Sequence, residues 1–282
     1  MAWTRIPAIL FLLAAPACTS NAPGHDSRAA AYADDAVIHR DYQTAFCGAA
    51  LPVYLTTLAG RRTARTFETH VTETFALADD KLVFGTFTAE GSMAGGQPFR
   101  EEGRFARLWS PGPDGEMWIV AEIIGHPAHQ DDPETYNVAG LSDDCSFPAE
   151  PASVGEDLAD INSRIAATVK AHEAAPQIAL YADDAIYMPF ETPAVKGKAN
   201  LTRHFETYVD AGRGATFDSV RVWNVGFRAY GDHVVELPRF EVKWRAGEDG
   251  GVVTGGGLRL WRRAPDGTLL LLREIATHDY RP

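Results

Sequence analysis

The chain has 282 residues, 45% hydrophobic and 23% charged, which is enough apolar material for globular cores and excludes a largely disordered chain. Its net charge of −12 argues against nucleic acid or an anionic membrane surface as a partner.

The first predicted element is a targeting segment. Arg5, an apolar run over 6–15 and Pro16-Ala17-Cys18 form a secretory signal over residues 1–18. The run is too short to span a bilayer, which takes roughly 20 apolar residues. Cys18, directly after an A-x-A-like site, resembles the lipid acceptor of a bacterial lipoprotein. That resemblance implies lipidation at Cys18, export to the periplasm or cell envelope, and a lipid anchor in the outer membrane as the sole membrane contact. Residues 19–30, rich in Ser, Asn, Pro and Gly, read as a flexible tether. Two cysteines then remain, Cys47 and Cys145. In an exported protein they are either a disulfide or two separate small apolar residues. Neither has metal-ligand spacing, and no metal site or cofactor-binding loop is predicted anywhere.

From residue 31 onward the chain is written twice. Tyr32-Ala33-Asp34-Asp35-Ala36 returns as Tyr181-Ala182-Asp183-Asp184-Ala185, and Arg107-Leu108-Trp109 as Arg259-Leu260-Trp261. Glu122-Ile123 and His126 return as Glu274-Ile275 and His278. A duplication of this length predicts two similar domains, over 31–130 and 155–282, joined by a linker over 131–154. In the first copy only residues 26–32 remain to form a short helix, because the signal and tether occupy the place of a long one. The Asp-, Pro- and Ser-rich link is a candidate cover for that missing wall.

The second copy is complete. Ser153-Val154-Gly155-Glu156 has capping-box form, and Leu158, Ile161, Ile165 and Val169 follow at helical spacing until Pro176. A short helix over 177–181, a strand over 185–188 and a helix capped by Asn200 and ended by Gly212 come next. Strands are predicted over 220–225, 233–237, 240–244, 258–262 and 269–275, with glycine and Pro-Asp-Gly turns between them. Helices followed by antiparallel strands mean an α+β fold, the helices packed on one face of a strongly curved sheet.

Two helices, Leu-Tyr-Ala-Asp-Asp-Ala, a short strand, a Pro-rich bend, Val195-Lys196-Gly197 and a third helix resemble the nuclear transport factor 2-like superfamily. That group includes the ketosteroid isomerases and SnoaL-like cyclases. The resemblance implies two tandem cone-shaped domains whose open ends form apolar pockets, and an intramolecular pseudo-dimer through the sheets. In the ketosteroid isomerases the catalytic Asp follows the first strand. The second copy has Tyr187-Met188-Pro189 there, with no carboxylate before Glu191. The first has His39-Arg40-Asp41, where Asp41 reads as a turn residue beside Arg40.

Strand alternation selects the candidate site. Pairing Trp261 with Leu270 puts Arg259 opposite Leu272 and makes it a diagonal neighbour of Glu274, on one face with His278. The same register pairs Trp109 with Trp118, Arg107 with Val120 and Phe105 with Glu122. The functional reading makes Glu274 and His278, and Glu122 and His126, proton-transfer pairs, with Arg259, Arg107, Tyr187, Trp223 and Tyr42 contacting a ligand. The structural reading is an Arg–Glu bridge that fixes strand register. The leading expectation is a binder of a small apolar molecule. The alternatives are a cofactor-independent isomerase, cyclase or dehydratase, and a structural assembly module.

Overall fold

The computed structural model describes residues 31–280, so the signal segment, Cys18 and the tether lie outside the described residues. Two sheets carry the fold. The first takes β1 (Tyr32–Arg40), β2 (Gln43–Cys47), β3 (Arg62–Leu77), β4 (Asp80–Met93), β5 (Pro98–Pro111) and β6 (Met117–Gly125), ordered β2-β1-β6-β5-β4-β3. The second takes β7 (Ala149–Glu150), β8 (Tyr181–Met188), β9 (Val195–Lys196), β10 (Thr216–Tyr230), β11 (His233–Ala246), β12 (Asp249–Arg263) and β13 (Leu269–His278), ordered β7-β10-β11-β12-β13-β8-β9. The long meanders are antiparallel, but β1 lies parallel to β6 and β8 parallel to β13. The two copies therefore share one topology, a curved α+β unit built twice.

The helices are α1 (Leu51–Arg61), α2 (Ala152–Lys170), α3 (Ala174–Ile178) and α4 (Lys198–Gly212). Among the described residues no helix is long and apolar enough to cross a membrane. The stripe of Leu158, Ile161 and Ile165 is buried as its spacing requires and lays α2 on the second sheet. Several local expectations are corrected. Pro151 stands at the N-cap of α2 with no side-chain cap, so Ser153 and Glu156 lie inside the helix rather than at its cap. That helix stops at His172, in left-handed conformation, while Pro176 sits within α3. Gly197, at φ 77°, precedes α4, and Asn200 bonds back to the Lys196 carbonyl instead of capping. Tyr32 begins a strand, not the end of a helix. The strands predicted over 233–237 and 240–244 are one, because a bulge in the neighbouring strand at Asn224–Gly226 accommodates Pro238.

The link packs along the first domain. Val138 is buried in one cluster with Ile38, Phe46, Leu51, Tyr54 and Leu58, and Leu141 packs against it. Arg61 donates to the carbonyls of Glu134, Thr135 and Asn137 at 2.9, 3.0 and 2.6 Å. Cys47 is bonded to Cys145 with their Cα atoms 5.2 Å apart, across 98 residues of sequence. The link is thus tied along the first domain.

Alternation along each strand sends one row of side chains into its own cone and the next row toward the other sheet. Leu82, Phe84, Ala106, Leu108, Ala121 and Ile123 of the first sheet share one buried cluster with Val235, Leu237, Leu258, Leu260 and Ile275 of the second. Polar bonds frame this seam. Arg273 grips Glu73 through two contacts of 2.6 Å, and Arg228 bonds Asp80 at 2.9 Å.

Candidate functional site

The predicted Arg–Glu pair is present in both domains, in a register that differs from the expected one. The hairpin turns already set Trp109 opposite Ile119 and Trp261 opposite Leu271, one residue from the expected pairing. A bulge between Leu108 and Trp109, repeated between Leu260 and Trp261, adds a second residue, so that Arg107 lies directly opposite Glu122, Arg259 opposite Glu274 and Phe105 opposite Ile124. The extra residue of a bulge carries no compositional mark, so alternation alone misplaces the partners.

Each pair has a third member that alternation did not select. In the first domain Arg107 Nε donates to Glu122 Oε1 at 2.5 Å, and the Tyr32 hydroxyl donates to Oε2 at 2.7 Å. In the second, Arg259 Nε donates to Glu274 Oε1 at 2.7 Å, and the Tyr181 hydroxyl donates to Oε2. Both tyrosines open the repeated Tyr-Ala-Asp-Asp-Ala motif, which is the signal that could have found them. The second triad extends inward. Arg259 Nη1 donates to Asn162 Oδ1 at 2.9 Å, Asn162 donates to Glu236 at 2.7 Å, and the Trp261 indole donates to the other Glu236 oxygen at 2.7 Å. Burial raises the Glu236 carboxyl above its ordinary range. Every oxygen of Glu274 and Glu236 has a donor, which is the arrangement of the structural reading.

The two histidines do not join these glutamates. His278 stacks on Phe190 with ring centres 4.2 Å apart, and Phe240 meets it edge-on at 5.5 Å. His126 is wholly buried between two carboxylates, Nδ1 at 3.2 Å from Asp41 Oδ2 and Nε2 at 2.9 Å from Glu101 Oε1. Asp41 is thus more than a turn residue, since it also accepts from the His126 backbone N–H. Burial works against a charge on His126, but the bonds to Asp41 and Glu101 outweigh it and raise its pKa. Burial likewise pushes Glu101 up, and His126, Arg62 and Arg40 outweigh it, holding the carboxyl at about 2. In the repeat Phe190 stands where the first copy has Asp41. One copy therefore clamps its histidine with carboxylates and the other stacks it on a ring.

The expected ligand contacts are dispersed. Tyr187 stacks on Phe205 of α4 at 5.6 Å. Trp223 is 39% exposed, with the Arg221 guanidinium over its ring, and lies on the outer surface rather than in a pocket. Tyr42 is buried at the seam, bonded to Glu191 of the other domain and edge-on to Phe190. Arg107 and Arg259 are committed to their glutamates.

An open cavity lies elsewhere. Where α2 and α4 both end against the start of β10, a cleft of about 270 Å³ is lined by Val169, His172, Tyr208, Val209, Ala215 and Phe217. Tyr208 at its rim is 58% exposed, and His172 stacks on Phe217 at 4.5 Å. A second groove of about 410 Å³ runs between residues 43–45 of β2, the link at 137–141 and Tyr280. No group of three or more metal-ligating side chains occurs among the described residues.

No family model and no curated protein matches the sequence. Among solved structures the chain is similar to a ketosteroid isomerase-like protein from Erwinia carotovora atroseptica, at 19% identity and a TM-score of 0.39, over 46% of this chain and 96% of that one. It is also similar to a nuclear transport factor 2-like superfamily protein from Salmonella enterica serovar Typhimurium, at 12% identity and a TM-score of 0.38, over 46% of this chain and 94% of the other. A third likeness, to a protein from Catenulispora acidiphila solved in complex with S-DNPA, has 11% identity and a TM-score of 0.39 over 45% of this chain and 95% of that one.

Proposed function

We propose that this protein is an exported, lipid-anchored binder of a small, largely apolar molecule, built from two cone domains over 31–130 and 155–282. The signal over 1–18 and Cys18 support export and anchoring. The observation that carries the binding reading is the apolar cleft at the helix ends of the second domain, which is open to solvent while Arg259, Glu274 and Glu236 inside that domain are already paired. Pockets for small ligands are concave and mainly apolar, with few polar groups. Calorimetric titration of the mature, unlipidated chain with a panel of uncharged hydrophobic molecules tests it. Saturable binding at one site is expected, and no heat with any of the panel rejects the reading.

A second reading is a cofactor-independent isomerase or lyase working by proton transfer. The clamp of His126 between Asp41 and Glu101 is what supports it, because both ring nitrogens are held in fixed hydrogen bonds to carboxylates, as acid–base groups are positioned. If it holds, Glu101→Gln abolishes turnover of an enolisable ketone while the fold survives. Undiminished turnover in that variant would sink it.

A further inference from the structure

The end of α2 is closed in an expensive way. The His172 N–H bonds the Val169 carbonyl at 3.1 Å, and the Glu173 N–H bonds the Thr168 carbonyl at 3.0 Å, which together make a Schellman end with His172 as its left-handed residue. That position favours glycine, because a Cβ at positive φ crowds the backbone. Here a histidine holds φ 54°. Residues kept in sparsely populated backbone regions point to a demand made on the side chain. The His172 side chain lines the cleft, with Phe217 stacked beneath it at 22° between planes.

Two helices present their C-termini to this cleft, α2 through His172 and α4 through Gly212. Their terminal carbonyls carry partial negative charge, which favours a donor or cation and opposes an anion. Glu173 lines the same cleft and adds a negative group. The volume lies below the roughly 300–1,000 Å³ that encloses drug-sized ligands, so one or two fused rings fill it. The stacked His172 and Phe217 rings line one side of the cleft, with Tyr208 at the rim.

We infer that His172 is the polar anchor of this cleft, accepting a hydrogen bond from a flat, neutral one- or two-ring aromatic molecule that carries an N–H donor. The inference rests on the binding reading above and specifies its ligand and its anchor. A ligand whose N–H pairs with the ring acceptor is favoured over the analogue lacking that donor, which forfeits the hydrogen bond.

Indole and N-methylindole differ in that one donor and serve as probes, titrated into the mature chain by calorimetry. Indole is expected to bind saturably, and N-methylindole and the anion indole-3-acetate at least about tenfold more weakly. His172→Gly relaxes the backbone strain while removing the anchor, so it should keep or raise the melting temperature and erase the preference for indole. His172→Asn, which tolerates the same backbone and retains a side-chain acceptor, should restore part of it and covers the case in which loss of the ring stack weakens the glycine variant. Equal affinity for both indoles, or an unchanged preference in His172→Gly, overturns the anchor and leaves apolar binding standing. Absence of indole binding with binding of other panel members overturns the ligand class. Silence of the whole panel removes the binding reading itself.

Discussion

Glu274 accepts from Tyr181 on one oxygen and from Arg259 on the other, so an amide at this position leaves one buried donor unpaired and Arg259 short of a counter-charge. Breaking a buried pair in this way costs about 3 kcal/mol. Glu274→Gln is therefore expected to lower unfolding stability by about that amount in urea titrations, with Glu122→Gln acting similarly in the first domain. A variant as stable as the parent would return Glu274 to the functional reading. The His126 cluster makes a second prediction, in pH. Glu101 is held at about 2 against an ordinary 4.5, so its stabilisation is present above 4.5 and lost as pH falls toward 2. His126 is raised above 6.5, so its contribution is complete below 6.5 and lost as pH rises through the folded value. Burial lowers His39 despite its bond to Asp279, and His39 acts with the opposite sign. The difference between the parent and His126→Phe isolates the cluster. That difference in unfolding free energy should be largest between pH 4.5 and 6.5 and shrink as pH rises above that window, and a flat difference rejects a charged His126. The Arg–Glu pairs were legible in the sequence because period-two alternation and repetition select them. Glu101 and Arg62 were not, since their meeting with His126 depends on how far β5 and β3 curl, and no local pattern encodes that.

At the scale of elements, strands and helices that bury a continuous face were legible, and their ends were not. The α2 stripe fixed its helix, whereas the helix ends in a Schellman turn at His172, whose ring stacks on Phe217, so Pro176 misled. Pro238 misled likewise, because a bulge absorbs the missing donor inside one long strand. The link is the element least visible in sequence. Polar and without periodicity, it is held by three carbonyl contacts from Arg61, one buried Val138 and a covalent bond. Closing a loop of 98 residues stabilises the folded state by about 4–5 kcal/mol in the chain-entropy account. Cys145→Ser should lose an amount of that order, and limited proteolysis should then cut first within residues 131–144. A variant that keeps full stability and resists cleavage would show that Arg61 and Val138 hold the link without the disulfide.

At the scale of the molecule the question is whether the two domains act as one body. Leu82, Leu108 and Ile123 are fully buried in a cluster that spans both sheets, although each belongs to the face of the first sheet turned away from its own cone. Left uncovered, that face would be a contiguous apolar patch of a kind that soluble monomers rarely expose. Trp109, Trp118, Trp223 and Trp244 are absent from that cluster, and aliphatic side chains with Phe84 form the seam instead. Side chains of the two facing sheets interdigitate to fill such a seam. We expect the mature, unlipidated chain to be a compact monomeric pseudo-dimer, with a radius of gyration of about 18 Å over residues 31–280. Each fully buried leucine in the seam contributes roughly 1.5–3 kcal/mol. Placing charge there through Leu82→Glu with Leu108→Glu should separate the domains, while the disulfide keeps the link attached to the first. Small-angle scattering would then show the single-peaked distance distribution of the parent replaced by a two-lobed one. A two-lobed distribution in the parent itself, or a second domain that is stable and monomeric when expressed alone, would mean that the repeat added an independent bead.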